Sequence, residues 1–176
     1  MRNRRLFRDP WVRATVATGA ALLLAVGPGG LRLQWTPSIP QGLYLERDLG
    51  TAEPATLRDR YVSLCLDEPH AAWALERTVI PGAGCPLGTG RIAKRVIAGP
   101  GDVVIQTPSA LSVNGRPIAG SATVAEPAPD AGPGRYRLGP DELWIYAPHP
   151  RSLDSRLIGP VRLHEVRGTL TDLWTL

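Results

Sequence analysis

Glycine and proline punctuate this chain so often that long regular elements have little room. The 19 glycines and 18 prolines make up more than one in five of the 176 residues and follow no period, which excludes collagen-like and low-complexity chains. Short strands fit between the breaks. Residues 42–50 (GLYLERDLG) read as one, with Leu43 and Leu45 alternating against Tyr44 and Glu46, and 61–66 (YVSLCL) as a second. The segment RIAKRVIAGPGDVVIQ reads as strand, turn, strand, and LSVNGRPI sets Asn114-Gly115 between two β-favouring arms as a hairpin. YRLGPDELWIYA and VRLHEVRGTLTDLW supply the closing strands. One short helix is predicted within 67–80, where Ala72, Leu75, Glu76 and Val79 fall at helical spacings and Pro69 stands near the first turn. Residues 119–135 are small, polar and proline-rich, and read as an excursion from the sheet that could change without harm to the fold. Many short strands without βα alternation predict a single all-β, mainly antiparallel domain.

Ahead of this domain, residues 14–31 carry no charge for eighteen positions, close to a spanning length, and Gly27-Pro28-Gly29-Gly30 would break a helix near its far end. Five arginines (Arg2, Arg4, Arg5, Arg8 and Arg13) precede the stretch. A retained transmembrane anchor and a cleaved secretory signal both fit; the anchor is expected. The organisation is then a basic cytoplasmic tail at 1–13, an anchor at 14–31 and an exported domain at 32–176, because basic flanks stay in the cytoplasm. From position 14 onward fifteen basic and fifteen acidic residues cancel, so the pI of about 9.6 describes the tail and gives no support to a nucleic-acid partner. Export suits the two cysteines: Cys65 and Cys85 would join in an oxidising compartment, two buried free thiols being the alternative. No CxxC spacing occurs and His70, His149 and His164 lie far apart, so neither a metal nor another cofactor is expected.

The cations carry more information than their sum. Nineteen of twenty are arginine, and Lys94 is the single lysine. A guanidinium cannot lose its proton in a protein, whereas a buried ammonium is pushed toward neutrality. Lys94 shares a strand face with Ile92 and Val96, so desolvation makes it a candidate general base. Such an amine needs a nucleophile within reach. Ser38 stands between Pro37 and Pro40, which restrict the backbone on both sides, and its own N–H with the Thr36 hydroxyl could stabilise an oxyanion.

Four stretches, PSIPQGLY, KRVIAGPGDVV, VNGRPI and SLDSRLIGPV, taken in that order, resemble the sequence boxes of the signal peptidase I superfamily, and within it the TraF-type conjugative-transfer branch. The resemblance implies a signal-peptidase-like β fold behind one N-terminal transmembrane helix. It implies a serine endopeptidase of the bacterial inner membrane with a periplasmic catalytic domain, Ser38 as nucleophile, Lys94 as general base, and Thr36 with the Ser38 amide as oxyanion donors. Ser152 would hydrogen-bond and orient the Lys94 amine, and Asp154 and Arg156 would form an ion pair holding their box. Asp102 and Arg95 would have structural roles, turn capping and a surface charge being the alternative. The partner implied is an exported precursor, foremost a conjugative pilin, cleaved and in some relatives cyclised. General leader peptidases carry GDNRDNS where this chain has APHPRS, which favours a dedicated substrate. Two other readings are a general leader peptidase and a non-catalytic assembly component of a conjugation or secretion apparatus.

Overall fold

The computed structural model describes residues 29–77, 82, 84–122, 126–129 and 131–176. In chain order its elements are β1 (Gly29–Gln34), β2 (Gly42–Asp48), β3 (Tyr61–Leu64), helix α1 (His70–Glu76), β4 (Ile92–Ala98), β5 (Val103–Gln106), β6 (Leu111–Val113), β7 (Arg116–Ile118), β8 (Gly134–Arg137), β9 (Glu142–Tyr146), helix α2 (Ser155–Ile158), β10 (Val161–Arg162) and β11 (Val166–Thr175). Seven strands form one sheet in the order β1-β2-β11-β3-β4-β9-β10, and four form a second in the order β7-β6-β5-β8. All the pairings described are antiparallel, as expected for the domain. Of the stretch read as an anchor, residues 14–28 lie outside the described residues, and Gly29, Gly30 and Leu31 open β1. Among the described residues no helix is long and apolar enough to cross a membrane.

The GPGD turn after β4 hands the chain from the large sheet to the small one, so the two strands it joins do not pair. Strand β9 serves both layers. Leu143 and Ile145 enter a core with Val62, Leu64, Ile92, Val96, Leu157 and Ile158, while Trp144 and Tyr146 enter a second core with Val104, Leu111 and Leu138 against the small sheet. A strand buried on both faces must be apolar at every position, which accounts for the run LWIYA. In the β6–β7 hairpin Asn114 and Gly115 take φ of +50° and +77°, the left-handed pair a two-residue primed turn requires.

Three expectations need adjustment. The predicted helix is confined to His70–Glu76, and it buries Ala71, Trp73 and Ala74; Ala72 and Leu75 are exposed, because Trp73 outweighs both in apolar area. Residues 119–135 are tied into the fold at several points, and Gly134 and Arg135 already belong to β8. Ala128 is buried in the main core with its amide bonded to the Leu157 carbonyl at 2.8 Å, and the Ser121 hydroxyl accepts from the Leu111 amide at 2.8 Å, so these positions are not free to change. In β2 the alternation holds, but Tyr44 and Glu46 face inward and Leu43 and Leu45 are half-buried.

Candidate active site

The turn between β1 and β2 carries Ser38, and its conformation is fixed from several sides. Pro37 and Pro40 limit the backbone, the Tyr44 hydroxyl donates to the Pro40 carbonyl at 2.7 Å, and the Gln34 side chain donates to the Thr36 carbonyl at 3.0 Å. The Leu176 amide reaches the Gln41 carbonyl at 2.9 Å, so the end of the chain braces the same turn. Gly42 follows because nothing larger fits: a Cβ there would lie 2.1 Å from the Trp174 carbonyl oxygen.

Lys94 approaches from β4, where it sits opposite Val62 and is 3% exposed. Its Nζ lies 2.8 Å from Ser38 Oγ, joining residues 56 positions apart. Burial pushes the Lys94 amine down to about 8; the Asp154 carboxylate opposes the change and the Arg156 guanidinium adds to it. The Thr36 hydroxyl is 3.4 Å from Ser38 Oγ, on the turn's exposed side. A nucleophile, a partly neutral base and a hydroxyl donor therefore converge on one point, an arrangement able to perform acyl transfer.

Ser152 lines the same cavity and is buried, but among the described residues its hydroxyl has no hydrogen-bond partner. The expected bond to the Lys94 amine is therefore not formed: Nζ is drawn to Ser38, and the Ser152 amide is held in a turn by the His149 carbonyl at 3.0 Å. Asp154 and Arg156 do form the expected ion pair, through Nε at 2.9 Å and Nη2 at 2.8 Å, both side chains fully buried. Arg156 also donates to the carbonyls of Ala147 and His149 at 2.8 Å, and to those of Ser121 and Ala122 at 3.2 and 3.1 Å. One guanidinium thus fastens the segment behind the cavity to two loops. Asp102 is a turn cap, accepting from the Gly99 amide and the Asn114 side chain at 2.8 Å each and from Arg58. Burial alone would raise the Asp102 carboxyl, yet those hydrogen bonds outweigh it and hold the group below its ordinary range. Arg95 makes a surface ion pair with Asp59 at 2.8 Å. Cys65 and Cys85 form a disulfide with Cα atoms 5.4 Å apart.

Ser38 borders two cavities. One, of about 530 Å³, holds Thr36, Lys94 and Ser152 on its walls, over a floor that includes Ile39, Tyr44 and Ala93. The other, of about 430 Å³, is walled by Pro40, Tyr61, Arg95, Tyr146 and Pro148. The first also contains Arg32 and Arg91, which flank the buried Glu46. Sequence reading missed these three, and the acidic residue inside an otherwise apolar strand pattern was the signal available.

The family model described as signal peptidase, peptidase S26, matches residues 83–174. A plasmid transfer protein TraF of Escherichia coli is 32% identical over 160 residues, an alignment covering 86% of this chain and 88% of that protein. The crystal structure of a signal peptidase I from Enterococcus faecalis aligns with 65% of this chain and 95% of its own, at 21% identity and a TM-score of 0.39.

Proposed function

The chain belongs to the peptidase S26 family of signal peptidases and resembles its TraF type, and on that premise we propose that it is a Ser38/Lys94 endopeptidase acting on an exported precursor at the membrane. The 2.8 Å contact between a buried amine and a serine hydroxyl carries the reading. While Lys94 is protonated, Nζ donates to Oγ; once neutral, it accepts the hydroxyl proton as Oγ attacks the scissile carbonyl. The oxyanion is stabilised by the Ser38 amide and the Thr36 hydroxyl. Lys94 then returns its proton to the leaving amine, and water or a substrate amine attacks the acyl-enzyme. Ser152, on the wall of the same cavity and without a hydrogen-bond partner among the described residues, would accept from the amine when Nζ turns from Ser38 toward the leaving group. The Asp154–Arg156 pair holds the Ser152 segment and has no part in proton transfer.

The substrate is a conjugative pilin precursor. The similarity to a plasmid transfer protein supports this, and the uncharged stretch at 14–31 supports a membrane anchor with the domain outside the cytoplasm. Co-expression with such a precursor, followed by mass spectrometry, tests the proposal. Ser38→Ala and Lys94→Arg should each abolish processing; full processing by Lys94→Arg, which keeps the charge and loses only the capacity for neutrality, would refute the dyad. A product lighter than the hydrolysed chain by one water would identify ring closure.

A further inference from the structure

Strands β1, β10, β7 and β8 are the outermost in the two sheets, and three of these edges are occupied or blunted. That of β1 lines the cavity beside Ser38. Strand β10 has two residues, and its Arg162 amide donates to the Glu165 carboxylate at 2.6 Å. Strand β7 has three, with Pro117 at the centre offering no N–H. The edge of β8 is open.

Register decides which of its backbone groups face outward. The Val103 carbonyl accepts from the Asn114 amide and the Val103 amide donates to Asn114 Oδ1, both at 2.8 Å, so the backbone of Val103 turns away from β8. Successive residues of a strand aim their amides to alternate sides, so Val104 and Gln106 turn toward β8, where they meet Tyr136 and Gly134. The Leu138 amide keeps the same phase, donating to the Asp102 carbonyl at 2.9 Å. Arg135 and Arg137 therefore direct both N–H and C=O groups away from the sheet, and both residues are exposed.

Their side chains share one face. Tyr136 packs into the second core against Trp144, so Arg135 and Arg137 project from the outer side of the small sheet. Opposite them stand Ile105, 36% exposed, and Val103; Ser112 and Pro117 continue the row from Ile105. None of these neighbours is acidic. Arg32, Arg58, Arg91, Arg95 and Arg156 each pair with a carboxylate, whereas among the described residues Arg135 and Arg137 have neither an ion pair nor a hydrogen bond from their guanidiniums.

Two cations are too few to hold a lipid surface or a nucleic acid, whose binding grows with the number of charges neutralised. They match a partner that also uses the open backbone. We propose that β8 is a docking edge for an extended acidic segment of a partner protein, added as a fifth strand to the four-stranded sheet. Carboxylates at alternate positions of that segment repeat every ~6.6–6.8 Å, the spacing of Arg135 and Arg137, and lie beside them across the ladder. The inference does not depend on the peptidase reading.

The test uses the full-length protein in a nonionic detergent and a fluorescein-labelled peptide of alternating glutamate and valine, read by anisotropy. Saturable binding is expected, with slowed exchange of the Arg135 and Arg137 amides. Arg135→Glu/Arg137→Glu should bind this peptide at least about tenfold more weakly and an alternating lysine–valine peptide more tightly than wild type does, a gain that shows the variant to be folded. Two further peptides, N-methylated at the glutamates or at the valines, block one backbone edge each; one should lose binding and the other retain it. The same result for both would overturn strand addition. Absence of binding to wild type, or equal binding by the charge-reversed variant, would overturn the docking edge. Binding of a single-stranded DNA as tight as that of the peptide, and lost in the same variant, would overturn the acidic-segment assignment in favour of a general polyanion site.

Discussion

Desolvating the Lys94 ammonium lowers its affinity for the proton from 10.5 to about 8, and at ~1.4 kcal/mol per pH unit the folded state bears a cost of about 3 kcal/mol. The sign is fixed by linkage. Between about pH 8 and 10.5 the unfolded chain holds a proton that the folded chain has released, so stability rises across that window, while below it the cost is present in full. Two outcomes are expected. Peptidase kcat/KM should climb with pH along a limb centred near 8, measured with a peptide whose own groups do not titrate there. Lys94→Met should be inactive yet more stable by about 2 kcal/mol near neutral pH, the recovered desolvation less about 1 kcal/mol for the lost hydrogen bond, with the gain fading toward pH 10.5 in urea titrations. The proposed pair, Lys94 and Ser38, stands out in the sequence because arginine fills every other cationic position and two prolines bracket the serine. Arg32 and Arg91 do not, since they meet Glu46 only through strand register.

Among the elements, the box after β9 owes its shape to a buried charge pair. Removing one partner leaves the other unpaired in a dry interior, which costs about 3–5 kcal/mol. Asp154→Asn is accordingly expected to lower Tm by roughly 10 °C, read by calorimetry, and to weaken activity through the displaced Ser152 segment. Gly42→Ala is expected to be at least as damaging, because its methyl would meet the β11 backbone, where no side chain can rotate away; loss of amide-exchange protection at Trp174 and Thr175 would report it. Local signals located most strands and the Asn114-Gly115 hairpin. They located α1 but not its buried face, which one tryptophan sets, and they failed for 119–135, whose anchoring includes an alanine and a serine with no local distinction.

For the molecule as a whole, the alternation of strands told class but not partition: nothing local says that β4 and β5, one turn apart, belong to different sheets. The Cys65–Cys85 bridge spans 20 residues that include α1, and by chain entropy it contributes about 3 kcal/mol. The double variant Cys65→Ser/Cys85→Ser should therefore melt lower than the oxidised protein and no differently with reductant added. The restriction of lysine to position 94 has a practical corollary. Growth on lysine enriched in heavy nitrogen at Nζ alone would place the label at one atom of the whole chain, so a single spectroscopic line would follow the amine through titration, inhibitor binding and turnover with no assignment needed.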